Sequence, residues 1–310
     1  MPLFRVAGSD VHPVSQSDFS REKELQHLVE RNIERVFSCR LVASEFSTGS
    51  VHGGRIDTLA LSEDNNPVII EYKKVVSSDL VNQSLFYLAW LDDHRGDFEV
   101  AARKALGPKV EIDWESIRVI CIAPSYRKYD VYAVQVMGRD IELWTYRRFA
   151  NDTFYLEQLQ QGETVDTAPS GSGKNPVMVA AGKKAAETKR TATWTVAGHL
   201  KDKPAPVVQL FQQVQEFMIS LDSAIEEAPK KLYVAYRTTQ NIVCVEIQRQ
   251  KITLFVKLDP KKHTGPKGIS RDVSKIGHFG TGDLEITLKS AADFEAAKPF
   301  IEIAYRQVGG

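Results

Sequence analysis

The sequence is poor in cysteine, in long apolar runs and in net charge, and each shortage narrows what the chain can be. Its three cysteines, Cys39, Cys121 and Cys244, stand about 80 and 120 residues apart, and no C-x-x-C pair occurs. A zinc ribbon and a disulfide framework are therefore not indicated; three buried, reduced thiols in apolar runs are expected, as in a reducing cytoplasm. No apolar run approaches the roughly 18–20 residues needed to span a bilayer, so no membrane role is expected. The N-terminal stretch MPLFRVAGSDVHP has one arginine and then turns acidic and polar, unlike a secretory signal. Forty basic and forty acidic residues cancel, which argues against a wholly basic nucleic-acid coat but leaves room for a local basic groove.

What remains is a composition of 43% hydrophobic and 26% charged residues over 310 positions, enough for two domains with their own cores. Residues 20–37 carry Leu25, Leu28, Val29, Ile33, Val36 and Phe37 at helical spacing behind Ser20. Extended runs follow at 40–46, 55–61 and 67–73, the last two joined by the turn-forming Ser62-Glu-Asp-Asn-Asn66. A helix is expected over 78–105, and the continuous apolar run 117–123 reads as a strand buried on both faces. A further helix over 126–136 and strands at 141–149 and 153–158 complete this half. The fold class is α/β: helix, three strands, helix, strand, with a mixed central sheet flanked by helices. Residues 1–160 form this first domain. Residues 161–205, rich in Gly, Ser, Ala, Lys and Pro, read as a flexible linker. Residues 206–310 form a second, small α+β domain with a helix at 207–225, strands at 232–237, 242–247, 252–258 and 283–288, and a closing helix at 291–306.

The chemistry concentrates in Val68-Ile-Ile-Glu71-Tyr-Lys73. Three apolar residues make a buried strand, and Glu71 and Lys73, two apart, are expected on one side of it. Asp57 lies fourteen residues upstream, early in the partner strand of the hairpin, where it can stand beside Glu71. Two carboxylates supply hard oxygen ligands for Mg²⁺ or Mn²⁺, which retain open positions for water and a phosphate oxygen. Such an ion polarises a phosphoryl group and acidifies bound water. The expected division of labour has Asp57, Glu71 and the Tyr72 carbonyl as ligands, with Lys73 orienting or deprotonating the attacking water.

Glu-x-Lys alone is a weak signal, since an exposed ion-pair face looks the same. In order along the chain, however, stand Gly54-Arg-Ile-Asp57, Ile70-Glu71-Tyr-Lys73 and Gln83-Ser-Leu-Phe-Tyr87. Over residues 18–125 this pattern resembles the PD-(D/E)xK nuclease superfamily, and within it the RecB-type and NucS-like endonuclease branch. The family's Pro before the Asp is missing here. The resemblance implies a Mg²⁺- or Mn²⁺-dependent endodeoxyribonuclease that binds DNA and hydrolyses its phosphodiester bonds, with a structure-specific role in repair or defence; the cysteine usage adds the expectation that it is cytoplasmic. It implies that Gln83 and Tyr87 contact substrate, with Arg55 as a further substrate-binding candidate. It also puts the first-helix acid, a further metal or water ligand, at Glu24, ahead of Glu30, Glu34 and Glu22. Residues 206–310 resemble a small domain of uncharacterised function that accompanies such nucleases. Homodimerisation, substrate selection and docking of a protein partner are the roles open to it. A non-catalytic nucleic-acid binder and a protein-interaction adaptor are the rival readings.

Other features carry less. Gly171-Ser-Gly-Lys174 fails as a phosphate loop: Ala168 replaces the leading glycine, Asn175 replaces Ser/Thr, and no apolar strand precedes it. His52 and Asp92-Asp93-His94 read as surface residues, Phe86 and Trp90 as core packing. The basic cluster Lys257, Lys261, Lys262, His263, Lys267, Arg271 and Lys275 reads as a solvated loop, and Gly277-His-Phe-Gly-Thr-Gly282 follows no apolar strand.

Overall fold

The computed structural model describes residues 2–77, 79–137, 141–159 and 194–309. The chain divides into two compact units, residues 1–190 and 191–310. The phosphate-loop-like segment and residues 161–193 of the expected linker lie outside the described residues.

In the first unit, α1 (Glu22–Arg31) and α2 (Ile33–Phe37) precede β4 (Arg40–Ser47), β5 (Arg55–Leu61) and β6 (Pro67–Tyr72), with one turn of helix, α3 (Gly49–His52), between β4 and β5. Then come α4 (Asp79–Asp93), α5 (Arg95–Leu106), β7 (Arg118–Ala123), α6 (Lys128–Met137), β8 (Ile141–Phe149) and β9 (Phe154–Gln158). The sheet runs β3-β8-β7-β6-β5-β4, where β3 is Gln16–Ser17, and β9 also pairs with β8. Strands β4, β5 and β6 form an antiparallel meander, whereas β6, β7 and β8 are mutually parallel. The helix–three strands–helix–strand order read from the sequence is present, with two expected helices each split in two. Asn32 interrupts the first, at φ −120° and ψ 17°, and His94 the second, at φ −120° and ψ 41°.

The sheet is covered on both faces, which is why β6 and β7 are buried along their whole length. Leu25, Val29, Ile33 and Phe37 of α1 and α2 pack on Ala60, Val68, Ile70, Tyr72, Ile120 and Ile122. Leu80, Leu88, Leu91, Phe98 and Ala102 of α4 and α5 pack on Leu59, Leu61, Ile69, Val119 and Cys121. Two-residue alternation along each strand decides which side chain joins which core. A separate hairpin, β1 (Leu3–Ala7) with β2 (Asp10–Val14), was not expected; it leaves Phe4, Val6 and Val11 exposed.

In the second unit the strands run β10-β11-β12-β13-β15-β14, all antiparallel: Glu226–Pro229, Val234–Arg237, Asn241–Ile247, Ile252–Val256, Leu284–Leu288 and Ser270–Asp272. Helices α8 (Ala205–Leu221) and α9 (Ala291–Gln307) fill one face. Residues 194–205, assigned to the linker from their composition, already belong to this unit. They contain α7 (Val196–Leu200), whose Val196 and Leu200 pack on the core. The Gly277–Gly282 turn lies against the other face: a Cβ at Gly280, φ +82°, would stand 2.6 Å from that of Cys244, and His278 stacks on Phe255. All three thiols are buried, and burial pushes those of Cys39 and Cys121 up to about 12.

Candidate active site

Strands β5 and β6 stay paired as far as Thr58 and Ile70, then separate. At the separation, side chains take over from backbone. The Asp57 amide donates to Glu71 Oε1 at 3.0 Å, and the Tyr72 amide donates to Asp57 Oδ2 at 3.1 Å. The two acids are thus held side by side, as their spacing implied. On the other edge of β6, pairing with β7 persists through Tyr72, and the Lys73 amide donates to the Ile122 carbonyl at 2.9 Å. Strand β6 therefore ends one residue earlier than expected, and Lys73 leaves the sheet just beyond it.

The electrostatics of the pair are unusual. Glu71 is wholly buried, and its Oε2 has no hydrogen-bond partner. Desolvation, reinforced by the neighbouring Asp57 charge, pushes its carboxyl up to about 9. Asp57 is half-buried and also raised, chiefly by desolvation, against a lowering by the Tyr72 amide and Lys73. Among the described residues neither acid has a bonded cation; Lys73 tempers both from nearby while its Nζ pairs with Glu22 Oε1 at 3.4 Å.

Glu22, and not Glu24, is the acid of α1 that reaches this centre. Its Oε2 accepts from the Lys74 amide at 3.0 Å, and its charge acts on both Asp57 and Glu71. Glu24 is exposed and folds back on the helix start, where Oε2 accepts from the Ser20 amide at 3.0 Å and Oε1 from the Ser20 hydroxyl. The reason is angular. At about 3.6 residues per turn, positions 22 and 24 point some 200° apart, so both cannot face the sheet. The burial of Leu25, Gln26 and Val29 fixes the inward face of α1. Glu30 accepts from Thr58 Oγ1 at 2.6 Å, one residue along β5 from Asp57.

Gln26, which the sequence did not single out, donates to the Asp57 carbonyl at 2.8 Å and ties α1 to the acid-bearing strand. Only its place on the apolar face of α1 could have flagged it. Tyr87 accepts at its hydroxyl from the Arg55 amide at 3.1 Å and from Gln83 Nε2 at 3.0 Å, so the Gln-x-x-x-Tyr pair braces the start of β5. Gly54 is required there: a Cβ would stand 2.7 Å from the Tyr87 ring. The Arg55 side chain is exposed and pairs with Glu45 at 2.6 Å.

Among the described residues, no group of three or more His, Cys, Asp and Glu side chains is assembled to hold a metal. The side chains best suited to a cation are Asp57 and Glu71. A buried carboxylate oxygen without a partner, beside a second carboxylate, is what a hard divalent ion would satisfy; Mg²⁺ commonly uses one or two carboxylates and keeps waters. The donor chemistry fits. No helix among the described residues is long and apolar enough to cross a membrane.

Residues 196–308 match the family model described as a domain of unknown function (DUF5655). An uncharacterised protein of Haemophilus influenzae is 28% identical over 310 residues, covering 99% of this chain and all of that one. Among solved structures, the EndoMS-dsDNA2 complex aligns at 19% identity and a TM-score of 0.31, over 45% of this chain and 48% of the other. A repair endonuclease from Pyrococcus abyssi aligns at 16% identity and a TM-score of 0.26, over 41% and 48%. The chain thus spans about half the length of these two structural matches.

Proposed function

We propose that residues 1–160 form a Mg²⁺- or Mn²⁺-dependent endodeoxyribonuclease of the PD-(D/E)xK type. The observation that carries this reading is the adjacent Asp57–Glu71 pair, locked by two backbone amides, buried without a bonded cation and flanked by Lys73. Asp57, Glu71 and the Tyr72 carbonyl would hold the ion, with Glu22 in the role expected of Glu24. When bound, the ion supplies Lewis-acid polarisation of the phosphoryl group and a more acidic water. Lys73 orients that water and offsets charge developing on the phosphate. Gln26 and the Tyr72 amide hold Asp57 in place; Tyr87 and Gln83 set the angle at which Arg55 enters the strand.

The absence of a three-acid group among the described residues favours a second reading: a DNA-binding relative that does not cut. One experiment separates the two. Wild type, Asp57→Ala and Lys73→Ala are incubated with duplex, branched, mismatched and single-stranded DNA in Mn²⁺. Cutting by wild type alone supports the nuclease. Undiminished cutting by either variant removes the assignment. Salt-sensitive binding with no cutting by any protein supports the binder. Residues 206–310 would then serve dimerisation, substrate selection or a protein partner, which a pull-down and a sedimentation experiment on the full chain distinguish.

A further inference from the structure

Three polar residues of α1 recur four apart, Glu22, Gln26 and Glu30, and so form one stripe along the helix. Each bonds a different stretch of the two acid-bearing strands. Glu22 takes the Lys74 amide just beyond β6, Gln26 gives to the Asp57 carbonyl, and Glu30 takes the Thr58 hydroxyl. The first two touch the centre directly. Glu30 does not.

Glu30 Oε1 is instead a junction. It accepts from Gln26 Nε2 at 3.1 Å and from Thr58 Oγ1 at 2.6 Å, and the Thr58 hydroxyl also meets the Tyr72 hydroxyl at 3.3 Å. Gln26 is 4% exposed, and Thr58 and Tyr72 are wholly buried. Hydrogen bonds in so dry a setting are strong, and deleting their shared acceptor leaves buried donors unmet. The network also flanks both acids: Thr58 follows Asp57 in β5, and Tyr72 follows Glu71 in β6. The last backbone pair between these strands is Thr58 with Ile70. Beyond it, side chains rather than the ladder hold the two strand ends together.

Glu30 is placed to hold the acids, not to join them. Two-residue alternation puts Thr58 and Tyr72 with Ala60, Val68 and Ile70 on the α1 side of the sheet. The same alternation puts Asp57 and Glu71 with Leu59, Leu61 and Ile69 on the α4 side. Cys121, which stands opposite Glu71 in register, belongs to the α4 side as well.

We propose that Glu30 is a positioning residue for the acid pair. From across the sheet it clamps, through Gln26, Thr58 and Tyr72, the two strand ends whose carboxylates and carbonyl would hold the divalent ion. The proposal rests on the nuclease reading for the identity of that ion. Removing the junction releases the Gln26 amide and both hydroxyls at once, so Asp57 and Glu71 lose their fixed separation while every group facing ion or DNA is unchanged. Residues that orient metal ligands from behind typically cost about 10–100-fold in metal affinity when replaced.

The test reads Mn²⁺ binding to the full chain without DNA, by the paramagnetic resonance of the free ion, beside the thermal midpoint of the metal-free protein. Glu30→Leu keeps the bulk and removes the acceptor, and should weaken Mn²⁺ binding about 10–100-fold. Glu30→Gln keeps an acceptor oxygen for Thr58 and should retain most of the affinity. Tyr72→Phe keeps the buried ring, so it folds even where Glu30→Leu does not, and should weaken binding several-fold. A folded Glu30→Leu or Tyr72→Phe protein that binds Mn²⁺ as wild type does, whatever its midpoint, overturns the proposal. So does a Glu30→Gln loss as deep as that of Glu30→Leu. Affinity that falls as expected in a protein unable to cut DNA supports the positioning role and removes the nuclease. Wild-type cutting with Mn²⁺ affinity unchanged in the variants does the reverse, and a wild type that binds no Mn²⁺ overturns both.

Discussion

Two buried glutamates at opposite ends of the parallel strands show how differently one side chain can be treated. At the amino-terminal ends of β7 and β8, Glu142 accepts from Arg118 at 2.5 and 2.9 Å and from the Trp144 indole at 2.9 Å. Arg118 in turn lies 5.8 Å over the Phe37 ring. At the carboxyl-terminal end of β6, Glu71 is wholly buried but faces another acid and leaves one oxygen unmet. The first arrangement is complete and needs nothing from solvent. The second is costly as it stands, and under the proposed function a cation would relieve it, at the sheet end where ligands of open α/β folds bind. Compensation marks the structural carboxylate; its absence marks the candidate working one.

That contrast can be broken in four ways, taken from the largest effect down. Arg118→Met strands Glu142 and should destabilise the first unit by about 3–5 kcal/mol, seen as a lower urea midpoint. The double variant Arg118→Met/Glu142→Leu should regain most of that loss; no recovery would show that the pair's charge compensation is not what matters. Lys73→Ala should slow cleavage about 10²–10⁴-fold, with little change in the urea midpoint, since Lys73 lies outside the strand.

Glu71→Gln should do the opposite of Arg118→Met. In chelator at neutral pH it should raise the thermal midpoint by about 2–8 °C, because it removes a strained acid rather than a bonded one. The pH dependence has a definite sign. Glu71 titrates near 9 when folded against an ordinary 4.5, so between those values the folded chain keeps a proton that the unfolded chain has lost. Its contribution to stability therefore falls as pH rises through that window, and Mg²⁺ or Mn²⁺ should reverse the fall. A wild-type midpoint that ignores both pH and metal would contradict this account of Glu71. The smallest effect separates the two α1 acids. Glu24→Ala should lower the thermal midpoint only slightly, through the lost Ser20 hydrogen bonds, and leave cleavage intact, whereas Glu22→Ala should lower cleavage at similar stability.

Much of this contrast was legible beforehand. The unbroken apolar runs of β6 and β7, the turn at residues 62–66 and the Asp57–Glu71 spacing each depend on local pattern, and each appears in the fold. The elements that escaped notice lack such a pattern. Strands β1 and β2 expose nearly all their residues, and β10 and β14 are short and only partly buried. The breaks at Asn32 and His94 interrupt apolar periodicities that continue across them. Glu30 reads only as a spare first-helix acid, because its junction with Thr58 and Tyr72 requires α1, β5 and β6 to be packed together.

By itself the sequence determined which segments are buried and which two acids could meet, because side-chain periodicity and hairpin length are local quantities. Only the tertiary structure decided that Glu22 rather than Glu24 turns inward, that Glu71 loses all contact with water, and that Glu30 gathers Gln26, Thr58 and Tyr72 into one network. Those outcomes follow from the rotation of α1 about its axis and the depth of packing on both faces of the sheet, which no single segment specifies.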